Sequence, residues 1–162
     1  VWDRPFTEVH EREIRRMKAR VERERIPPGE DPEFHLKLGR GSLSDVEWTV
    51  QLLQLRHAAS VDGPRTTRTP HALEAAVRAD LLGEDDRTVL LAAWRTATSI
   101  RNAVVLVSGR ASDAMPRDPR ALAAVSRVLG YAPGRSAEFV DDYRKMARRA
   151  RAVVERIFYG DG

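Results

Sequence analysis

Between Lys37 and Trp48 the chain gathers the side chains that could handle a charged substrate. Lys37 and Arg40 are cations, Gly39 and Gly41 loosen the backbone, Ser42 and Ser44 bring hydroxyls, and Asp45 and Glu47 bring carboxylates. An apolar, amide-rich run through Gln51, Leu52, Leu53, Gln54 and Leu55 follows. This order describes a helix start. The first N–H groups of a helix lack partners within it and carry partial positive charge, so a cap from Ser42 or Ser44 and early carboxylates are stabilising there. Cations are not, and two glycines are not needed for a cap. Lys37 and Arg40 beside permissive backbone suit a place where main chain approaches a phosphate-bearing partner.

Gly41-Ser42 followed by Asp45 and Glu47 also mimics a metal-dependent nucleotidyltransferase motif, in which Gly-Ser precedes an Asp-x-Asp pair. Carboxylates one residue apart share a side only on a strand. On a helix they diverge by about 200°, and the pattern after Asp45 is helical. No Asp-x-Asp occurs in the chain. The histidines His10, His35, His57 and His71 do not form the i,i+4 pair of a helical zinc site, although His35 adjoins the motif. Neither a phosphate-binding Gly-x-x-x-x-Gly-Lys loop nor a dinucleotide fingerprint is present. Read alone, the chain holds no catalytic or metal-ligating set and is not a self-sufficient enzyme.

The elements around the motif read as helices. A first helix is predicted from Phe6 to Glu24, with Val9, Ile14, Met17 and Val21 as its apolar stripe. Pro27, Pro28 and Gly29 stop it. Leu36 to Leu38 is either a short extended segment or coil. The second helix runs from near Ser44 to about Ala59, apolar on more than one side and therefore central. Gly63-Pro64 breaks the chain, and Thr69 caps a third helix with Pro70 at its first position, through Leu73, Val77 and Leu81 to Gly83. Glu84, Asp85 and Asp86 open a long fourth helix that Gly109 ends. Asp118-Pro119 begins a short fifth helix that runs to Gly130, and a last helix spans Ser136 to Phe158. The expected fold is all-α, a bundle of five to six helices forming one domain over residues 1–162. Trp48 and Trp94 read as core or domain-interface aromatics.

The formal net charge is +4. In the first helix Arg12, Arg15, Arg16, Lys18, Arg20, Arg23 and Arg25 alternate with Glu11, Glu13, Glu22 and Glu24, the pattern of a solvated face. A second basic cluster, Arg144, Lys145, Arg148, Arg149 and Arg151, is less balanced and could face a phosphate or an acidic partner. With no massed patch, nucleic acid is not the expected partner. The absence of cysteine excludes disulfides and thiolate metal sites and points to the cytoplasm. No apolar run reaches the roughly 20 residues of a membrane span. Val1 in place of an initiator Met points to a piece of a longer protein.

The string Lys37-Leu38-Gly39-Arg40-Gly41-Ser42-Leu43-Ser44-Asp45-Val46-Glu47-Trp48 closely resembles the Lys-x-Gly-x-Gly-Gly-(Ile/Leu)-x-Asp-(Ile/Val)-Glu-aromatic signature of glutamine synthetase adenylyltransferases. Ser42 stands where that family has the second of two adjacent glycines. The resemblance extends to Ile14, Met17 and Lys18 before the motif, to Thr67-Arg68-Thr69-Pro70 after it, and to Leu129-Gly130-Tyr131 and Phe158-Tyr159 near the end. It implies a C-terminal helical domain that follows a nucleotidyltransferase domain. The implied parent enzyme uses ATP and Mg2+ to transfer AMP to a tyrosine of glutamine synthetase, with removal of that AMP under a PII-type signalling protein in related enzymes. Metal-binding carboxylates are then expected upstream, and Lys37, Arg40, Gly41, Asp45 and Glu47 are the nucleotide-proximal candidates here. The domain would complete the nucleotide cleft or bind the protein substrate. The alternative is a stand-alone helical interaction or nucleic-acid-binding module.

Overall fold

A computed structural model describes residues 6–57 and 66–160. It contains α1 (Glu8–Glu24), a 3-10 turn (Pro32–Phe34), α2 (Leu43–His57), α3 (Thr69–Arg78), α4 (Glu84–Ser108), α5 (Pro119–Val128) and α6 (Ser136–Val154), which widens into a π-helical turn at Glu155–Tyr159. The all-α expectation holds, with six α-helices and no strand among the described residues. The segment around Leu36 is a turn, tied by one antiparallel bridge between His35 and Ala114. The expected end of α2 at Ala59 and the break at Gly63-Pro64 lie outside the described residues.

Local chemistry sets most boundaries. Asp118 caps α5, its carboxylate accepting the Ala121 N–H at 2.8 Å, with Pro119 just inside. Gly109 ends α4 in the left-handed region at φ +68°. Two expectations for α3 need correction. Arg68, not Thr69, occupies the cap, so Pro70 is the second helical residue. The helix also ends before Gly83. Asp80 turns left-handed at φ +56°, while the N–H of Asp80 bonds the Val77 carbonyl and that of Leu81 bonds the Ala76 carbonyl. This is a Schellman ending with aspartate in the usual glycine position, and it swings Leu82 into the core.

α4 is the axis of the molecule. At about 1.5 Å per residue it is long enough to serve two apolar clusters. Leu90, Leu91 and Ala93 meet Val46, Val50 and Leu53 of α2, Leu73 and Ala76 of α3, and Ala150, Val153, Val154 and Phe158. Further along, Ile100, Ala103 and Val104 meet Leu36, Met115, Val125, Phe139 and Tyr143. Trp48 and Trp94 pack partly buried against the first cluster, as expected. Leu36 at the head of the motif and Phe158 after α6 are both fully buried, so the motif is anchored in one cluster while the end of α6 is anchored in the other.

α1 departs from its predicted stripe. Val9 and Met17 are exposed, at 54% and 55%. The inward positions are instead Glu11, Ile14, Arg15, Lys18, Val21 and Glu22, a face rotated by roughly one residue, about 100°. The interleaved charges suggest a solvated face, yet four of these six positions are charged. The helix is held by side-chain reach. Arg15 donates from Nε to the Phe158 carbonyl at 2.8 Å, and Glu11 takes Arg56 Nε at 2.9 Å.

Candidate functional site

The motif turn is built from the inside out. His35 is buried, and its Nδ1 accepts the N–H groups of Lys37 and Leu38 at 3.3 and 3.0 Å. The N–H groups of Leu43 and Ser44 at the start of α2 bond the carbonyls of Leu36 and Lys37 at 3.4 and 2.9 Å. Ser42 is fully buried and its hydroxyl donates to the Leu36 carbonyl rather than capping the helix. These donors are spent within the chain. The glycines are likewise explained by protein backbone. A Cβ on Gly39 would stand 2.4 Å from the His35 carbonyl oxygen. One on Gly41, at φ +73°, would stand 1.9 Å from the carbonyl oxygen of Ala147 in α6. The backbone freedom that suggests an approach to phosphate here permits an approach to α6.

Asp45 does not face outward. It is 1% exposed, and its Oδ1 pairs with Lys18, itself 1% exposed. Its Oδ2 accepts the Gly41 N–H at 2.6 Å and Arg151 Nη1 at 3.1 Å. Lys18 also pairs with Glu22, and Arg151 Nε bonds Glu155 Oε1 at 2.8 Å. The rings of Phe158 and Tyr159 lie 5.5 Å from the Lys18 ammonium, and the Arg151 guanidinium lies 5.2 Å from the Tyr159 ring. A single buried network thus joins α1, the motif turn and α6. Burial pushes the Asp45 carboxyl up, but Lys18, the Gly41 N–H and Arg151 outweigh it and hold the group below its ordinary value. Burial likewise pushes Lys18 down, and Asp45 and Glu22 outweigh it and raise it. The Arg151 guanidinium is raised too, its carboxylate partners overriding its desolvation.

Glu47 lies in the second turn of α2, not the first, and its Oε1 accepts Trp94 Nε1 at 3.4 Å. It diverges from Asp45 as the helical geometry requires. Among the described residues no group of three or more His, Asp or Glu side chains is placed to hold a metal ion. With both Asp45 oxygens committed to cations and an N–H, these residues do not fit a magnesium site.

Lys37 and Arg40 are the outward-facing members of the motif, both exposed. Of the five candidates the structure separates two reaching cations from two buried structural members, Gly41 and Asp45, and a half-buried Glu47. Arg40 borders a cavity of about 500 Å3 that it shares with Pro32, Glu33, Arg144, Ala147, Arg148, Arg151, Ala152 and Glu155. The motif and the second basic cluster therefore meet at one cleft. Sequence reasoning missed Lys18 and Arg151 as the partners of Asp45. The one available signal was that Lys18 follows Ile14 by four residues and so shares its face.

Residues 9–158 match the family model described as GlnD PII-uridylyltransferase. The chain is 61% identical over 149 residues to the bifunctional glutamine synthetase adenylyltransferase/adenylyl-removing enzyme of Streptomyces avermitilis, a match covering 92% of this chain. To the enzymes of the same description from Nocardia farcinica and Mycolicibacterium smegmatis it is 53% and 51% identical, over 91% of this chain in each case. The chain spans 15% of the length of each of these relatives. No helix among the described residues is long and apolar enough to cross a membrane. The chain belongs to the GlnD PII-uridylyltransferase family and is similar, over nearly all of its length, to one segment of the bifunctional glutamine synthetase adenylyltransferases.

Proposed function

We propose that this chain is the helical domain of a cytoplasmic enzyme that transfers AMP from ATP to a tyrosine of glutamine synthetase and also removes it. In this reading an upstream nucleotidyltransferase domain holds Mg2+ and performs the chemistry, and a PII-type protein governs the balance of the two reactions. The helical domain contributes no reacting group. It presents Lys37 and Arg40 on a turn whose inner side is locked to α1 and α6, so that the cations meet a nucleotide or protein surface in fixed positions. The observation that carries the reading is the 61% identity over 149 residues to an enzyme of that description. The isolation of Asp45 from solvent supports the division of labour.

An adenylylation assay with glutamine synthetase, ATP and magnesium tests this. The longer parent protein is expected to turn over and the isolated chain is not. Robust turnover by the isolated chain would overturn the division of labour, and an inactive parent would overturn the assignment of activity. The alternative, a nucleic-acid-binding module, draws on the net charge of +4. Ion pairing of Arg15 with Glu11 and of Arg20 and Arg23 with Glu24 speaks against it. Binding of duplex DNA that weakens by about 0.9 log units per log salt for each phosphate neutralised would restore it.

A further inference from the structure

On α6, Arg144, Ala147, Arg148, Arg151 and Ala152 recur at helical spacing and, with Glu155 at the start of the π-helical turn, form one wall of the cleft. Gly41 presses onto Ala147, which sets the neighbouring Arg40 among Arg144, Arg148 and Arg151. The two alanines leave room between long side chains, and with Pro32 they give the cleft an apolar floor. Four arginines and two glutamates line the cleft, and the arginines are unevenly paired. Arg144 bonds Glu33 at 3.1 Å and stacks over Phe34, with its guanidinium carbon 4.8 Å from the ring centroid. Arg151 is bound by Asp45 and Glu155. Arg40 and Arg148 have no carboxylate partner among the described residues. Like charges brought together repel, and a guanidinium fork binds phosphate oxygens in bidentate fashion.

We propose that the cleft between the motif turn and α6 binds a phosphate chain of at least two negative charges, gripped by Arg40 and Arg148 and flanked by Arg144. The apolar floor and the cavity of about 500 Å3 accept a ligand larger than a single phosphate. The site stands on the geometry of this chain. Only the source of the phosphate, a nucleotide as against inorganic polyphosphate, rests on the function proposed above.

Calorimetric titration of the 162-residue chain tests the site without any assay of the parent. The probes are inorganic pyrophosphate, tripolyphosphate, ATP and succinate. Saturable binding of pyrophosphate is expected, weakened at least about tenfold in Arg40→Gln and in Arg148→Gln. Both side chains are exposed, so the melting temperature of each variant should match the parent chain. Arg149→Gln, next along α6 but outside the cleft, should bind as wild type. ATP binding tighter than tripolyphosphate would assign the phosphate to a nucleotide, and equal binding would assign it to the phosphate chain alone. Three results would overturn the site: no saturation at millimolar pyrophosphate, an equal loss in Arg149→Gln, or succinate binding as tightly as pyrophosphate. Phosphate binding by the chain alongside an inactive parent would sink the enzyme assignment and leave the site standing.

Discussion

Gly41 lies so close to Ala147 that a Cβ on Gly41 would stand 1.9 Å from the Ala147 carbonyl oxygen. The contact is between backbones, so no side-chain rotation can relieve it. It joins the motif turn to the middle of α6, more than a hundred residues away in sequence. Two penalties therefore act together on any larger residue, the steric one and the left-handed backbone at φ +73°.

Gly41→Ala should accordingly separate the turn from α6. The left-handed conformation alone costs about 1–2 kcal/mol for a residue with a Cβ, and displacing the turn adds to this through the Asp45 bonds it disturbs. A loss above about 3 kcal/mol is expected. Gly130, at φ +92° with nothing within 4 Å of the place a Cβ would take, supplies the comparison. Gly130→Ala should cost only about 1–2 kcal/mol. Urea denaturation of both variants decides the matter, and equal losses would mean that the Ala147 contact carries no weight.

Lys18→Met should be among the most damaging single changes in α1. The substitution keeps the unbranched apolar stem, one atom shorter, but removes the ammonium that Asp45 and Glu22 share. Removing one partner of a buried pair commonly costs about 3–5 kcal/mol, because the other charge stays desolvated. Arg151 also reaches both carboxylates, at 3.1 Å from Asp45 and 3.6 Å from Glu22, which places the expectation near the lower end of that range. Met17→Lys on the exposed neighbouring position should stay within about 0.5 kcal/mol. If the two variants melt alike, α1 is not held by its charges.

The same network predicts a pH profile. Asp45 is held below its ordinary value in the folded state, so its contribution to stability is present above the unfolded value of about 3.9 and is lost as pH falls through the folded one. Lys18 is raised, so its contribution is complete below about 10.4 and is lost as pH rises through the folded value. Glu11, lowered by its hydrogen bond from Arg56, acts in the same direction as Asp45. Melting temperature should be flat across neutral pH with respect to these groups and fall below about pH 4. In Asp45→Asn the acid fall should be shallower, from a lower plateau. An unchanged acid slope in that variant would remove Asp45 from the account.

Much of this is legible in the chain, for physical reasons that can be named. Asp118-Pro119 and Gly109 act within one turn of themselves, so the ends of α5 and α4 follow directly from sequence. The ending of α3 does not, because Asp80 does what glycine ordinarily does. The face of α1 escapes a hydropathy reading, which counts Lys18 as solvent-seeking, whereas a lysine with two carboxylates and two aromatic rings around it is stable inside. The role of Asp45 is hidden for the same reason. Its partners lie at positions 18 and 151, and pairing over such separations leaves no local pattern.

The motif itself offers the sharpest test, in the longer parent enzyme proposed above. Lys37 and Arg40 are exposed and unpaired among the described residues, so Lys37→Ala and Arg40→Ala should leave the melting temperature unchanged. If these cations hold phosphate, each substitution should lower kcat/KM for ATP at least roughly tenfold, about 1.4 kcal/mol of transition-state stabilisation. Arg40 should show the larger effect, since it borders the cleft and Lys37 does not. Glu47 provides the internal contrast. Its Oε1 accepts the Trp94 indole N–H at 3.4 Å, and an amide oxygen can accept that bond equally well. Glu47→Gln should therefore change stability by no more than about 0.5 kcal/mol, with kcat/KM unchanged. Wild-type kinetics in Lys37→Ala and Arg40→Ala at saturating magnesium would reduce the motif to the scaffold that fastens α2 onto α6. A tenfold loss in Glu47→Gln would instead show that its charge, and not its hydrogen bond to Trp94, is what the enzyme uses.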